Sequence, residues 1–384
     1  MVDQLAATGV REVTLIGGEA YLRDDWCEVV AALSERGLRV TLTTGARQLT
    51  AARVTAARRA GLDAVSVSID GLEDTHDALR GVKGSWRAAV ESCERVQEAG
   101  ISLGVNTQIN RLSLAELPAL AALVAELGAT GWQVQLTVPM GRAADRPQLL
   151  LQPHDLLDLF PLLLWTKTTR LDPAGVTLFL GNNLGYHGPY ERLLRYGADR
   201  WGAWSGCGAG SLTIGIEADG TLKGCPSLPT ATWAGGQLPT DDLRALLQRP
   251  AMRRLRERTR EDLHGFCATC IHGDTCLAGC SWTSDVYFGR TGDNPFCIHR
   301  ALLKEAEGLR ERVVLEAPAP GRPFDHGRFR LVEEALAATR DDHSEPSVEG
   351  VALTDLLALH HARDRSAIAP AQRNQGLAKH PLSR

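Results

Sequence analysis

Seven of the nine cysteines in this 384-residue chain lie between Cys207 and Cys297, and their spacing constrains the fold more than any other feature. They run Cys207-x12-Gly220-x4-Cys225, then Cys267-x2-Cys270-x5-Cys276-x3-Cys280, then Cys297. A Cys-x2-Cys pair lets two thiolates reach one metal centre from a tight turn, with backbone amides available to the sulfurs. Between Cys207 and Cys225 the runs Leu212–Glu217, Asp219-Gly220 and Leu222–Cys225 predict a β-hairpin, because Asp-Gly supplies the positive φ angles that turn needs. Such a hairpin brings two distant thiols back to one place. Seven thiolates divide into four plus three, one fully ligated centre and one with an open or non-cysteine position. The same residues also permit zinc, in one site of four cysteines and a second of three completed by His272 or His299. Thiolates suit both metals. Cys27 and Cys93 stand alone in helical patterns.

The surrounding composition narrows the setting. Apolar residues make up 44% and charged residues 23%, as in a globular protein, and the length suggests two domains. A net charge of −4 gives no electrostatic reason to expect nucleic acid or an anionic membrane as partner. The leucine-rich stretch 149–165 is broken by Pro153, His154, Asp155, Asp158 and Pro161, too short and interrupted to span a bilayer. The first residues show no signal-peptide pattern, so a cytoplasmic location is expected, where thiols stay available for metal.

The first 140 residues alternate strand-like and helical runs. Strands are predicted at Val13–Ile16, Arg39–Thr44, Ala64–Ile69, Ser102–Ile109 and Trp132–Val138, with helices at Asp24–Arg36, Thr50–Ala60, Ser85–Ala99 and Leu114–Leu127. Gly37, Gly61 and Gly100 stand where left-handed C-terminal caps are expected. This alternation argues for a parallel sheet with right-handed crossovers. A leucine-rich helix at about 153–168 leads into a Gly181–Gly185 loop, and a further helical stretch is expected around 240–258. The predicted organisation is an α/β domain over 1–145, a connecting helical and loop region over 146–204, a cysteine-rich domain over 205–315, and a C-terminal extension over 316–384. That extension is expected to be largely disordered, above all over 345–384.

Chemistry-bearing residues follow the strands. Gly17-Gly18-Glu19 after the first strand combines close backbone approach with a carboxylate suited to an ammonium group. Thr43-Thr44-Gly45 follows the second strand, Ser66–Gly71 with His76, Asp77 and Arg80 the third, Asn106 lies in the fourth, and Pro139–Arg142 follows the fifth. In this order the segments resemble strands two to six of the partial (β/α)6 barrel of radical S-adenosylmethionine (SAM) enzymes. The cysteine pattern over 207–297 resembles the SPASM domain that follows that barrel in peptide-modifying maturases. The resemblance implies SAM as cofactor, with Gly17, Gly18, Glu19, Thr43, Ser68, Arg80 and Asn106 at its site. It also implies two auxiliary [4Fe-4S] clusters, one on Cys207, Cys225 and Cys280, the other on Cys267, Cys270, Cys276 and Cys297. Sulfatase maturases carry a further cysteine where this chain has Thr213, which implies an exchangeable site on the first cluster, and an aspartate base where it has Pro226, which points away from sulfatase maturation.

The family's Cys-x3-Cys-x2-Cys loop, which binds the catalytic cluster, does not occur in the sequence. Strand one and that loop would form a single block upstream of Met1, so a longer native chain is expected, with a third, catalytic cluster only if such a segment exists. That longer enzyme would cleave SAM to a 5′-deoxyadenosyl radical and abstract hydrogen from a ribosomally made peptide, fed by a small redox protein. The 384-residue chain alone is expected to be inactive and, with a strand edge uncovered at Val13–Ile16, poorly soluble. The alternative is a non-catalytic iron–sulfur or zinc protein that binds peptide as an accessory. Asn182, Tyr186, Tyr190 and Glu191 lie between the two domains, as packed linker or substrate channel. No catalytic acid or base stands out.

Overall fold

The computed structural model describes residues 1–196, 204–321 and 325–336, together with the backbone of 347–348 and 351–352. Met1–Asp341 forms one compact unit and Asp342–Arg384 another. In the second, Ser347–Val348 pairs antiparallel with Val351–Ala352. The rest of the tail expected to be disordered, like residues 197–203 of the connecting region, lies outside the described residues.

Five of the six strands of the main sheet fall where alternation placed them: β1 (Glu12–Leu15), β2 (Arg39–Thr44), β3 (Ala64–Ser68), β4 (Ser102–Ile109) and β5 (Gly131–Leu136). The sixth, β6 (Thr177–Leu180), pairs in parallel with β5 and was not expected. Its four residues follow a helical pattern, and so short an apolar run carries no period of its own. Every neighbouring pair is parallel, and strand order follows chain order from β1 to β6. A sheet wound in one direction without reversal is the open form of a β/α barrel.

Helices cover the outer face. The chain enters through α1 (Val2–Ala7), and α2 (Trp26–Ser34), α3 (Ala51–Ala60), α4 (Glu73–Arg80), α5 (Ser85–Glu98) and α6 (Leu117–Glu126) lie between the strands. Thr50 caps α3, its Oγ1 accepting from the Arg53 amide at 3.3 Å, and Gly61 closes the helix at φ +101. Leu42, Val65, Val67, Val105 and Val134 are buried, while their strand neighbours Thr43, Ser66, Ser68, Asn106 and Gln135 are half-exposed. Parallel sheets normally bury both faces. Here the inner face is polar and open, which positions it for a ligand. Trp132 anchors the buried face: its Nε1 donates to Thr107 Oγ1 at 2.9 Å, and Thr107 donates to the Ile69 carbonyl at 2.6 Å.

After α7 (Leu156–Thr166) and β6, the Gly181–Gly185 loop is held by Asn183. Its side chain accepts from the Leu136 amide and donates to the Leu136 carbonyl, at 3.1 and 2.8 Å, extending the β5 ladder by one residue. The predicted hairpin is present as β7 (Gly215–Ile216) and β8 (Thr221–Lys223), with a third strand β9 (Ala234–Gln237). The helix expected over 240–258 is two short ones, Leu243–Leu247 and Pro250–Arg253, the second starting at the proline that cannot donate into the first.

Beyond the expected boundary at 316 the described residues include strand: β10 (Leu309–Ala317) runs across position 316 and pairs antiparallel with β11 (Arg328–Ala335). Charged residues that weakened the periodicity pair with each other instead, Arg310 to Glu334 at 2.6 Å and Lys304 to Glu333 at 2.8 Å. Among the described residues no helix is long and apolar enough to cross a membrane.

Candidate functional site

The polar inner face ends at the C-terminal edge of the strands, where parallel sheets bind ligands. Gly17 and Gly18 follow β1 at φ +83 and +39. Glu19, next in the chain, accepts a hydrogen bond through Oε2 from the Thr44 hydroxyl. The other oxygen, Oε1, lies 3.2 Å from where a Cβ on Gly45 would stand, and Arg80 Nη1 lies 3.8 Å from the same point. A carboxylate and a guanidinium thus converge over one glycine. Arg80 Nη2 pairs with Asp70 Oδ2 at 2.7 Å, while its buried Nε has no partner. Asp70 is itself fixed: its Oδ1 accepts from the Gln108 amide at 3.0 Å, and its own amide donates to His76 Nδ1 at 3.1 Å. Burial lowers the pKa of His76, which suits a neutral ring accepting at Nδ1. Ser68 and Asn106 are register partners on β3 and β4, half-exposed on the same face as Thr43. Thr43, Ser68 and Asn106 therefore share one sheet face, and Glu19 and Arg80 meet over Gly45 at its edge.

The structure brings the cysteines together in two neighbouring groups. Cys267, Cys270, Cys276 and Cys297 line one cavity together with Tyr186 and Asn294. Burial pushes the Cys276 thiol up to about 12, and the nearby Cys297 and Cys270 add to the shift. Cys297 rises to about 11 for the same reason, with Cys270 again contributing. A chain of ions holds this set in place. Arg300, buried, makes two bonds of 2.6 Å to Glu311 and one of 2.7 Å to Asp293, whose Oδ1 accepts the Cys267 amide at 3.2 Å. Arg260 ties the neighbouring turn, donating to the carbonyls of Ala268 and Cys270 at 3.2 and 3.0 Å.

Cys207, Cys225 and Cys280 form the second set. Burial raises Cys280 to about 12, with Cys207 and Cys225 the nearby thiols that add to it. Cys207 and Cys225 pack together against Ala209, Leu228, Trp233 and Leu255. Buried Lys223 secures the turn after Cys225, donating to the carbonyls of Pro226 and Leu228 at 3.0 and 2.7 Å. Thr213, at the position of the extra cysteine of sulfatase maturases, is exposed.

Sequence reasoning missed one local device and left the role of a second residue open. Cys280 and Cys297 are each the N-cap residue of a helix, Ser281–Phe288 and Ile298–Ala306. A helix N-terminus favours a thiolate through its free N–H groups and its dipole. The signal was available, since each cysteine directly precedes a helical run. The second residue is Tyr186, fully buried between the sets. Its Oη accepts from the Cys280 amide at 2.9 Å and donates to the Asn182 carbonyl at 2.7 Å, while its own carbonyl accepts from the Cys297 thiol at 3.5 Å. Of the four linker residues considered, Tyr186 is structural, and Glu191 accepts from the Trp204 amide and pairs with Arg195 at 3.0 Å. Tyr190 packs on Phe160, and Asn182 contributes the carbonyl that receives Tyr186.

Among the described residues no three His, Cys, Asp or Glu side chains close on a single ion. His272 and His299, edge to face at 4.8 Å, line the four-thiol cavity. Buried donors without partners surround the thiols instead: both Nη atoms of Arg258, the indole N–H groups of Trp204 and Trp282, and Asn294 Nδ2. Buried donors of this kind cost about 1–3 kcal/mol each when unmatched. Extra acceptors, such as the bridging sulfides of iron–sulfur clusters, match them.

Comparison with known proteins agrees with this geometry. The radical SAM superfamily pattern matches residues 1–122. The chain is 28% identical over 317 residues to the AdoMet-dependent heme synthase of Methanosarcina barkeri, covering 78% of this chain and 85% of that protein. It is 29% identical over 288 residues to the mycofactocin maturase MftC of Mycolicibacterium smegmatis, covering 73% and 68%. Among solved structures, SuiB of Streptococcus suis bound to S-adenosylmethionine superposes with a TM-score of 0.57 at 18% identity, over 77% of this chain and 67% of that one.

Proposed function

We propose that this chain, whose residues 1–122 match the radical SAM superfamily, works in the modification of a ribosomally made peptide, with its seven clustered cysteines holding two auxiliary [4Fe-4S] clusters. The observation that carries this reading is the partition of the thiols into four and three around Tyr186, with unmatched donors beside them. SAM, bound with the superfamily's catalytic cluster, supplies a 5′-deoxyadenosyl radical for hydrogen abstraction. Glu19 receives the ammonium group of SAM, oriented by Thr44. Arg80, held by Asp70, faces its carboxylate, and Thr43, Ser68 and Asn106 line the polar face beneath. Cys267, Cys270, Cys276 and Cys297 close one auxiliary cluster. Cys207, Cys225 and Cys280 hold the other and leave a position for water or substrate. A small redox protein supplies electrons. Relatives named as a PqqA peptide cyclase and a mycofactocin maturase support the substrate class.

Residues 1–384 contain no Cys-x3-Cys-x2-Cys run, so this stretch alone is expected to bind SAM without cleaving it. Incubation with SAM and dithionite, followed by chromatography for 5′-deoxyadenosine, tests that; product above a no-protein control contradicts it.

A second reading takes a porphyrin as substrate, favoured by the heme synthase relative that covers 78% of this chain. Titrating the anaerobically reconstituted protein with candidate precursor peptides and with iron-coproporphyrin separates the two. Saturable peptide binding without a shift of the porphyrin absorption band supports the first, and the reverse supports the second.

A further inference from the structure

Arg258 is a buried arginine for which neither the sheet nor the cofactor site accounts. It is 8% exposed, and both Nη atoms are buried without a hydrogen-bond or ion-pair partner among the described residues. Its Nε reaches only the Leu255 carbonyl, at 3.4 Å. Leu255 itself packs in the cluster that contains Cys207 and Cys225. Cys207 and Cys280 act electrostatically on the guanidinium, as does the Asp262 carboxylate, which is engaged by the Thr259 amide at 2.8 Å and, among the described residues, makes no bond to Arg258.

An unpaired buried charge costs several kcal/mol. Neutral thiols around Arg258 do not compensate it. They compensate it once metal has displaced their protons. A protonated guanidinium with two free Nη groups then faces a negatively charged cluster. Each one-electron reduction adds one more negative charge in the same dry surroundings, where a fixed cation acts strongly.

We propose that Arg258 is a positioning residue for the three-cysteine centre, donating through its free Nη atoms to the sulfurs there and setting that centre's reduction potential above that of an otherwise equal site. This inference rests on the iron–sulfur reading of the cysteines. It reaches beyond that reading by assigning a tuning group to one centre only.

The test is an anaerobic redox titration of the reconstituted 384-residue chain followed by electron paramagnetic resonance, with iron and sulfide measured on each sample. Arg258→Gln is expected to load both centres and to lower one midpoint potential while the other stays. The expected shift is at least tenfold in the one-electron equilibrium, about 59 mV. Arg258→Lys, which keeps the charge, is expected to hold the wild-type potential. Two unmoved potentials in a fully loaded Gln variant overturn the proposal. If the Gln variant fails to load, the Lys variant decides. Loading with the wild-type potential supports the proposal, whereas loss of iron from the Lys variant too makes Arg258 a packing residue. Absence of sulfide from the wild type removes the clusters themselves, a result distinct from loaded clusters with an unmoved potential.

Discussion

Tyr186 Oη lies 2.9 Å from the Cys280 amide nitrogen and accepts its hydrogen bond. The carbonyl of the same tyrosine accepts from the Cys297 thiol, so one buried residue fixes a cysteine of each set. Gly279 makes this approach feasible: a Cβ there would meet the Tyr186 ring at 2.2 Å, and its φ of +64 already disfavours a side chain. Tyr186→Phe leaves the Cys280 amide buried without an acceptor, at about 1–3 kcal/mol. The expected result is a lower denaturation midpoint and reduced iron per chain; wild-type values of both would show that the phenol is dispensable.

The Glu311 carboxylate supports the four-thiol set from a distance. With Arg300 and Glu311 both about 95% buried at the side chain, Glu311→Gln leaves a charge half-paired. Loss of one partner from a buried pair costs about 3–5 kcal/mol. The damage should reach Cys267 through Asp293, so the variant is expected to be less stable in urea and to lose iron from one centre, not both.

The thiols titrate far above neutrality, Cys276 and Cys280 near 12 and Cys297 near 11, all through burial. At pH 7 each is a protonated thiol in the metal-free chain, and each ligated sulfur must lose its proton to the medium. Rising pH therefore favours loading, and falling pH opposes it, throughout the range below about 11. Weakly buffered anaerobic loading should release close to one proton per ligating cysteine. Release of none would mean that the thiols were already ionised.

How much of this was legible in the chain depends on where the information is local. Spacing of the seven cysteines gave a division into four and three, and the hairpin turn brought Cys207 and Cys225 together; which cysteine joins which set came from the family resemblance. Strands β1 to β5 were legible from Val, Ile and Thr alternating with helical periods. β6 was not, since four residues have no period, nor was β11, whose apolar positions are separated by charges that pair across the hairpin. Glu19, Thr43, Ser68 and Asn106 could be placed at strand ends. Arg258 could not: its isolation is a property of packing between segments about 20–50 residues distant in the chain, with no local pattern to announce it.

Glu19→Gln removes the charge proposed to receive the SAM ammonium. A hydrogen bond to a charged group contributes about 1.5–3 kcal/mol, so binding of labelled SAM should weaken about tenfold or more in equilibrium dialysis. Asp3→Asn, in an exposed pair with Arg36, should leave it unchanged. Equal affinity of Glu19→Gln and the parent would move the cofactor away from this edge.

The central claim is that the two cysteine sets bridge iron through sulfide and do not cage separate zinc ions. Anaerobic reconstitution followed by assay of iron and acid-labile sulfide measures that directly. Two [4Fe-4S] clusters require about eight iron and about eight sulfide per chain, with absorbance near about 400 nm. Serine in place of Cys267 or Cys280 should remove about half of each. Colourless protein that retains zinc and contains no sulfide would contradict the account.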